Sequence, residues 1–400
     1  MIVTENAYLR SDGRKGIRNH LVVAYLVECA HHVAREIVYP YRDAGVQLIG
    51  FGGCYPNAYA AKMMRQLCTH PNVGGVLLLS LGCESFKRTE LENVIADSGR
   101  PVETLVIQQS GGTRKTIERG RVLVEQILKE MAHVPRAPLE MREVIVGTIC
   151  GGSDATSGIT ANPGVGRAFD RLVSEGASGI FEETSELIGC EAIMAERAVT
   201  PELGTILGNA VSKAAAYHTV LGHGSFATGN AEGGLTTQEE KSMGAYAKSG
   251  ASRISGLLKP GDVPPTGGLY LLDVVPDGEV RFGFPNINDN AEIAELIACG
   301  SHVILFTTGR GSVVGSAISP VIKVCANPET YRRMSDDMDV DAGKILESRG
   351  TLDSVGDEIF DLSLSVARGA QSKSEALLHQ EFVLTYKSFE PIGPACLPRV

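Results

Sequence analysis

The strongest constraint in this sequence is a repeated grammar: an uninterrupted apolar run, then a glycine-bearing loop, then a helical stretch. LVVAYLV (Leu21–Val27) precedes a helical stretch from near Ala30, and VQLIGF (Val46–Phe51) runs into GGCYPN and a helix from about Ala58. GVLLLS (Gly75–Ser80) runs into LGCES, and VETLVIQ (Val102–Gln108) into QSGGT and the amphipathic stretch Arg114–Met131. A strand that is apolar at every position has no face to show to water, so it belongs in a parallel sheet covered by helices on both sides. The expectation is a doubly wound, mostly parallel α/β domain over residues 1–135. The proline-bearing HVPRAPLEMRE (His133–Glu143) then separates it from a second α/β domain over residues 144–400. That domain opens on VIVGTI (Val144–Ile149), followed at once by CGGSD, with further strand-like runs at SGIF, GLYLLDVV, HVILFTT and PVIKVCA. LLKPGDVPPTGG (Leu257–Gly268) reads as a surface connection or a joint inside this half, and Thr351–Gln380 has the spacing of an amphipathic helix packed on the outside.

Charge and cysteine content exclude several function classes. Lys and Arg number 37 against 47 Asp and Glu, a net charge of −10 with no basic block. Nucleic-acid binding, which needs clustered cations, is therefore not expected. No run reaches the ~18 apolar residues of a membrane helix, and the N-terminal MIVTENAYLRSDGRK is polar where a secretory signal would be apolar. A cytoplasmic protein is expected. Nine cysteines, an odd number without a CxxC pair, then point to free thiols or metal ligands rather than disulfides.

Glycine supplies 46 of the 400 residues, and the loops that hold those glycines hold the candidate chemistry. Cys54 (FGGCYPN), Cys83 (SLGCES) and Cys150 (TICGGSD) each follow a predicted strand, the edge where open parallel sheets bind ligands. Three thiols there can ligate a thiophilic ion or an iron–sulfur cluster with one position open to substrate; a free cysteine can equally serve as a small buried hydrophobe. Cys29, Cys68, Cys299, Cys325 and Cys396, in apolar contexts, are assigned to packing. CGGSDATSGITANPGVG (Cys150–Gly166) offers backbone N–H groups ahead of a helix for a carboxylate or phosphate, although a tight strand-to-helix turn would need the same glycines. In GHGSFATGNAEGGLTTQEEKSMG (Gly222–Gly244), Thr237 can cap a helix with Glu240 in the capping-box position. Lys241 then falls in a first turn where the helix dipole disfavours a cation. FTTGRGSVVG (Phe306–Gly315) lacks dinucleotide-loop spacing and is read as an anion loop, with Arg310 to grip a carboxylate. Glu182, Glu183 and Glu186 supply carboxylates after SGIF or simply open a solvated helix. His70, His218 and His223 are possible ligands or acids.

Five stretches in register carry a resemblance: SDGRKGIRN (Ser11–Asn19), HPNVGGVLLLSLGCE (His70–Glu84), CGGSDATSGITANP (Cys150–Pro163), GNAEGGLTTQEEKSMG (Gly229–Gly244) and FTTGRGSVVG (Phe306–Gly315). Together they resemble the altronate/galactarate dehydratase family over its large catalytic region. The resemblance implies a hydro-lyase that removes water from a sugar acid to give a 2-keto-3-deoxy acid, activated by Fe²⁺, with one branch instead removing sulfite from sulfolactate. Single-chain members carry a small β-rich domain ahead of this region, which by the resemblance is here either missing or supplied by a separate small subunit; exposed βα edges and that missing domain lead to the expectation of an oligomer. Cys54, Cys83, Cys150, Asp154, Glu183, Lys241 and Arg310 fall within the family's signature segments. From these loops, Cys54, Cys83 and Cys150 are taken as metal ligands for Fe²⁺ (alternatively an iron–sulfur cluster, Mn²⁺ or another divalent ion). Lys241, Glu183 and Asp154 are taken as the catalytic groups, with Lys241 as base. Arg310, Ser153, Asn162, Asn230 and Thr308 are taken as substrate contacts. Tyr55, Pro56 and Asn57 after Cys54, and the segment Phe282–Ala298, depart from the altronate-type pattern. A nicotinamide-dependent oxidoreductase would need a GxGxxG loop, which is missing; a non-catalytic sugar-acid sensor would bind without turnover.

Overall fold

A computed structural model describes residues 1–221, 228–277, 288–385 and 387 of the chain; His223 and Cys396 lie outside the described residues, as do parts of the Gly222–Gly244 and Phe282–Ala298 segments. Its first two strands, β1 (Ile2–Leu9) and β2 (Lys15–Gly16), pair antiparallel. Next come β3 (His20–Tyr25), β4 (Val46–Gly50), β5 (Val73–Ser80) and β6 (Val102–Val106), which form an all-parallel sheet in the order β4-β3-β5-β6. The apolar runs point alternately to its two faces. Leu21, Val23, Leu77 and Leu79 pack on helices 31–38 and 113–131, while Val22, Ala24, Val76 and Leu78 pack on helices 58–68 and 88–97. Period-two alternation between two helical layers is why these strands carry no polar face.

Strand β7 (Arg136–Glu140) returns to β1 and completes a three-stranded antiparallel sheet, β2-β1-β7. Neither β1 nor β7 was expected from the sequence, which reads one as a polar terminus and the other as a proline-bearing separator. As an edge strand, β7 tolerates Pro138, whose missing N–H can face away from the ladder. The remaining strands are β8 (Ile145–Cys150), β9 (Ser178–Phe181), β10 (Ile254–Leu258), β11 (Gly268–Leu272), β12 (Val303–Thr308), β13 (Val321–Cys325) and β14 (Val340–Asp341). They form a second all-parallel sheet, in the order β10-β11-β9-β8-β12-β13-β14. Leu257–Gly268 is a connection within this sheet, running from the end of β10 to the start of β11 and held to helix 58–68 by Lys62 and Gln66. The expected tail helix is confined to Leu352–Ala367, packed on helix 161–174, with a further turn at Lys373–Ala376. One apolar cluster is continuous from Val22 and Met63 to Leu296, Ile304 and Phe306, so helices 58–68 and 289–298 bury their faces between the two parallel sheets. Among the described residues, no helix is long and apolar enough to cross a membrane.

His70 and His302 sit in the same junction, 1% and 3% exposed. The Nδ1 atom of His302 accepts from the Ile145 N–H (3.1 Å), so its Nε2 carries the proton and donates to the Lys15 carbonyl (2.9 Å). His70 Nδ1 accepts from the Asn72 N–H at 3.0 Å. Burial holds both rings below the usual histidine range, His70 far below. As pH falls through the unfolded value of ~6.5, the unfolded chain takes up protons that the folded chain refuses, so folding loses stability. The urea midpoint should drop between pH 7 and 5, by the equivalent of roughly 2–4 kcal/mol. A midpoint that stays flat over this range would contradict the assignment.

Candidate active site

β8 is the first strand of the seven-stranded sheet, and the chain then leaves it in both directions, to β9 and later to β12. The carboxyl edge of β8 is thus the topological switch point, where open parallel sheets leave a crevice. Three loops meet there: 151–160 after β8, 182–190 after β9 and 309–320 after β12. The Gly152 carbonyl ties two of them, accepting from the N–H groups of Gly309 (3.0 Å) and Arg310 (3.1 Å) and from the Thr308 hydroxyl (3.2 Å). Asp154 is a staple of the same loop. Its Oδ1 accepts from the N–H and hydroxyl of Thr156 and from the Ser157 hydroxyl, and its Oδ2 accepts from the Asn327 amide at 3.0 Å. The loops approach so closely that a Cβ on Gly309 would lie 2.1 Å from Asp154 Oδ1, which accounts for a glycine at that position.

Below this edge lies a dense buried cluster. The Glu183 carboxylate accepts from the Cys150 N–H (3.0 Å) and pairs with Lys248; the Glu186 carboxylate accepts from the Cys150 thiol (3.0 Å) and pairs with Lys241. Glu183 has φ of 76°, a left-handed backbone that a non-glycine residue adopts only at a cost of order 1–3 kcal/mol. The surrounding ion pair and backbone bond hold it there. Burial and the neighbouring Glu186 push the Glu183 carboxyl up to about 7, against the pull of Lys248 and Lys241. Burial acts on Glu186 in the same sense, but Lys241 and Lys248 outweigh it and keep this carboxyl below its ordinary value. Burial alone would lower Lys241 and Lys248; the surrounding acids reverse that and keep both as ammonium ions. Burial and the two glutamates hold the Cys150 thiol far above its usual range, hence protonated.

Glu182, 1% exposed, lies beside this cluster with neither carboxylate oxygen hydrogen-bonded. One ligand atom each from Glu182, Glu183 and Glu292 fall within 4.8 Å of one another, and the same holds for Cys150, Glu183 and Glu186. Two unpartnered oxygens in a dry site are costly unless a proton or cation joins them. Burial, with Glu292 and Glu183 nearby, raises the Glu182 carboxyl well above its ordinary range. Glu295, one turn beyond Glu292, is instead paired with Lys387 at 2.9 Å, and both side chains are fully buried.

A cavity of about 350 Å³ opens onto the cluster, lined by Ser153, Asp154, Ser157, Asn162, Lys241 and Gly244 among others. Asn162, which lines this cavity, donates to the Gly244 carbonyl (2.9 Å) and leaves its own buried Oδ1 unpartnered. Thr237 caps the helix Gln238–Tyr246 through the Glu240 N–H, while the Glu240 side chain turns to Thr236 rather than closing a capping box.

The structure therefore brings Cys150, Ser153, Asp154, Asn162, Glu183 and Lys241 together. Asn230 reaches the Ser153 carbonyl (3.4 Å), and Thr308 braces its own loop through the Gly311 N–H. Arg310 lies exposed at the rim against the Gly229 carbonyl and Glu232. Cys54 and Cys83 are exposed on loops of the other parallel sheet. Among the described residues, neither belongs to a group of three close ligand atoms. Glu182, Glu183 and Glu186 are all buried rather than solvated. His70 belongs to the junction between sheets, and His218 lies buried on helix 201–221 against Tyr217. Lys248, Glu292 and Lys387 were missed. The one available signal was a pair of glutamates at helical spacing inside an apolar stretch, Ala291–Ala298.

Residues 141–389 match the family described as D-galactarate/altronate dehydratase, C-terminal, and residues 7–132 match the second domain of D-galactarate dehydratase/altronate hydrolase. The chain is 34% identical over 388 residues to the (2R)-sulfolactate sulfo-lyase subunit beta of Chromohalobacter salexigens, covering 94% of this chain and 96% of that one. It is 30% identical over 382 residues to the altronate dehydratase of Bacillus subtilis (92% and 74%). To the galactarate dehydratase (L-threo-forming) of Escherichia coli it is 33% identical over 321 residues (77% and 59%).

Proposed function

Given that the chain belongs to the D-galactarate/altronate dehydratase family, a family of lyases, we propose that it removes the proton α to the carboxylate of a short hydroxy acid and expels the β-substituent. The substrate favoured is an altronate-like aldonate or aldarate, which loses water to give a 2-keto-3-deoxy acid. The observation that carries this reading is the Lys241–Glu186 pair, with Lys241 lining a cavity of about 350 Å³ beside an unpartnered Asn162 oxygen.

The pair supplies both halves of an elimination. Glu186, kept ionised by its lysine neighbours, takes the α-proton; Lys241, kept as an ammonium, gives a proton to the departing hydroxyl, so the acid half suits it better than the base role first assigned. The proton on Glu186 then returns to Lys241 along their hydrogen bond, which resets the site. Ser153, Asn162 and Asn230 bind and orient hydroxyls, Thr308 and Asp154 hold the loops in place, and Arg310 meets a substrate carboxylate at the rim.

A divalent metal fits this chemistry. The Cys150 group is already neutralised by two lysines and keeps its thiol protonated, whereas the unpartnered oxygens of Glu182 suit a cation. We assign the metal to Glu182, Glu183 and Glu292, an all-oxygen set suited to Fe²⁺ or Mn²⁺; when bound it supplies Lewis-acid stabilisation of the enolate. Lys248 balances the charge behind it.

A second reading, loss of sulfite from sulfolactate, rests on the 34% identity that spans nearly the whole of the sulfo-lyase subunit. It shares the abstraction of the α-proton, with sulfite, which departs without a proton from Lys241, as the leaving group. That relative is named as a subunit, which supports a separate small partner chain and an oligomer here. Anaerobic turnover of a sugar-acid panel plus sulfolactate, with Fe²⁺, with and without a candidate small subunit, tests both readings. A 2-keto-3-deoxy acid as product supports the first, and pyruvate with sulfite supports the second. Bound iron with no keto acid from any substrate would refute both.

A further inference from the structure

Three thiols occupy matching positions on the other parallel sheet. Tyr25 of β3 is in register with Gly50 of β4 on one side and with Leu79 of β5 on the other. Cys29, Cys54 and Cys83 each lie four residues beyond these three aligned positions, at the carboxyl edge of three adjacent strands. The loops also converge: the Glu28 N–H donates to the Gly52 carbonyl (3.2 Å) and the Ser85 N–H to the Cys54 carbonyl (2.9 Å), which draws the β5 loop across to the β4 loop. Glu84 fixes the β5 loop by accepting from the Gly82 N–H (2.9 Å) and the Ser80 hydroxyl. The chain leaves β3 towards β4 and then crosses to β5, so this edge is the switch point of its sheet.

Exposure separates these three from the rest. Cys29, Cys54 and Cys83 are exposed, whereas Cys68, Cys150, Cys190, Cys299 and Cys325, the other cysteines among the described residues, are buried. A cysteine used for packing is normally buried. Three that surface together at a ligand-binding edge are doing something other than filling a core.

We propose that Cys29, Cys54 and Cys83 ligate a cubane iron–sulfur cluster, with Cys29 in the third place that the sequence pattern gave to Cys150. A single tetrahedral ion holds thiolates about 2.3 Å from itself, hence under about 4 Å apart. Among the described residues, the groups of three donor atoms within 4.8 Å of one another do not include these thiols, so they are not placed for a single ion, whereas a polynuclear cluster joins thiolates that stand farther apart. Each thiol loses its proton and bonds one iron of a preassembled [4Fe–4S] unit, leaving the fourth iron without a protein ligand. The oxygen-ligated metal assigned to Glu182, Glu183 and Glu292 is a separate centre on the other sheet, so the cluster stands or falls independently of it.

The test uses the full chain, purified anaerobically and reconstituted with iron, sulfide and a thiol. The expected result is a broad visible absorption shoulder with about four irons and four acid-labile sulfides per chain, in excess of any single oxygen-ligated ion. Cys29→Ser, Cys54→Ser and Cys83→Ser should each lose most of the sulfide and the shoulder while keeping the wild-type circular dichroism, and Cys150→Ser should keep both. Iron without acid-labile sulfide in the wild type would overturn the proposal. So would a Cys29→Ser variant that holds the full cluster, or sulfide that disappears only with Cys150→Ser.

Discussion

Replacing Lys241 with arginine should lower kcat about 10³-fold or more for a sugar-acid substrate, the upper part of the range for one positioned acid or base. Arginine keeps the positive charge beside Glu186, so the buried carboxylate stays paired and the fold is spared. A guanidinium, however, does not give up its proton at neutral pH, and the departing hydroxyl is left without an acid. Glu186 retains the α-proton step, so Lys241→Arg should still exchange the substrate's α-hydrogen with deuterated solvent while producing no keto acid. Glu186→Gln should lose both. Turnover by Lys241→Arg within tenfold of wild type would remove Lys241 from the mechanism. Lys241→Met is the less informative change, because it also strands the Glu186 carboxylate in a buried site and mixes folding with catalysis.

The largest stability effect should come from a residue far from the cavity. Lys387 and Glu295 are a fully buried pair, 2.9 Å apart, with the Glu295 carboxylate also accepting from the Tyr59 hydroxyl at 2.5 Å. Lys387→Met should destabilise the protein by roughly 3–5 kcal/mol, the usual cost of stranding one partner of a buried pair. Burial already raises Glu295, with Lys387 as the main restraint. In the variant the carboxyl will escape its unpaired charge by keeping a proton. A carboxyl whose folded value lies above its unfolded value loses stability as pH rises between the two, so the defect should deepen from pH 5 to pH 8. Adding Glu295→Gln should recover most of the loss at the higher pH. A urea midpoint for Lys387→Met that matches wild type at pH 8 would show that this pair does not clamp the fold.

Much of the fold is legible because parallel strands announce themselves. β3, β5 and β12 are apolar at nearly every position, and that pattern has few other uses. β1 and β7 are half-wet strands whose main pairing is with each other, across more than a hundred residues. In the buried cluster, Cys150, Glu183 and Lys241 are legible because each sits in or beside a dense loop of small polar residues. Lys248 and Lys387 are not, since a lysine in sequence reads as solvated until its acid is known, and their acids lie 65 and 92 residues away. The same distance hid Cys29. Its neighbours look apolar, and only the register of β3 against β4 and β5 sets it level with Cys54 and Cys83.

The central position of β8 also governs how the chain must assemble during synthesis. β3 to β6 are contiguous in sequence, so their sheet can close as soon as residue 106 has emerged. β8 is different: on one side it pairs with β9, but on the other Val146 must wait for Val303. Closing so long a loop is entropically slow. Until β12 arrives, β8 presents a bare apolar edge, with Cys150 and the loop that follows it still unframed. The first sheet should therefore mature early in synthesis and the second only once residue 308 has emerged, making the incomplete second half the part of the nascent chain most dependent on chaperones.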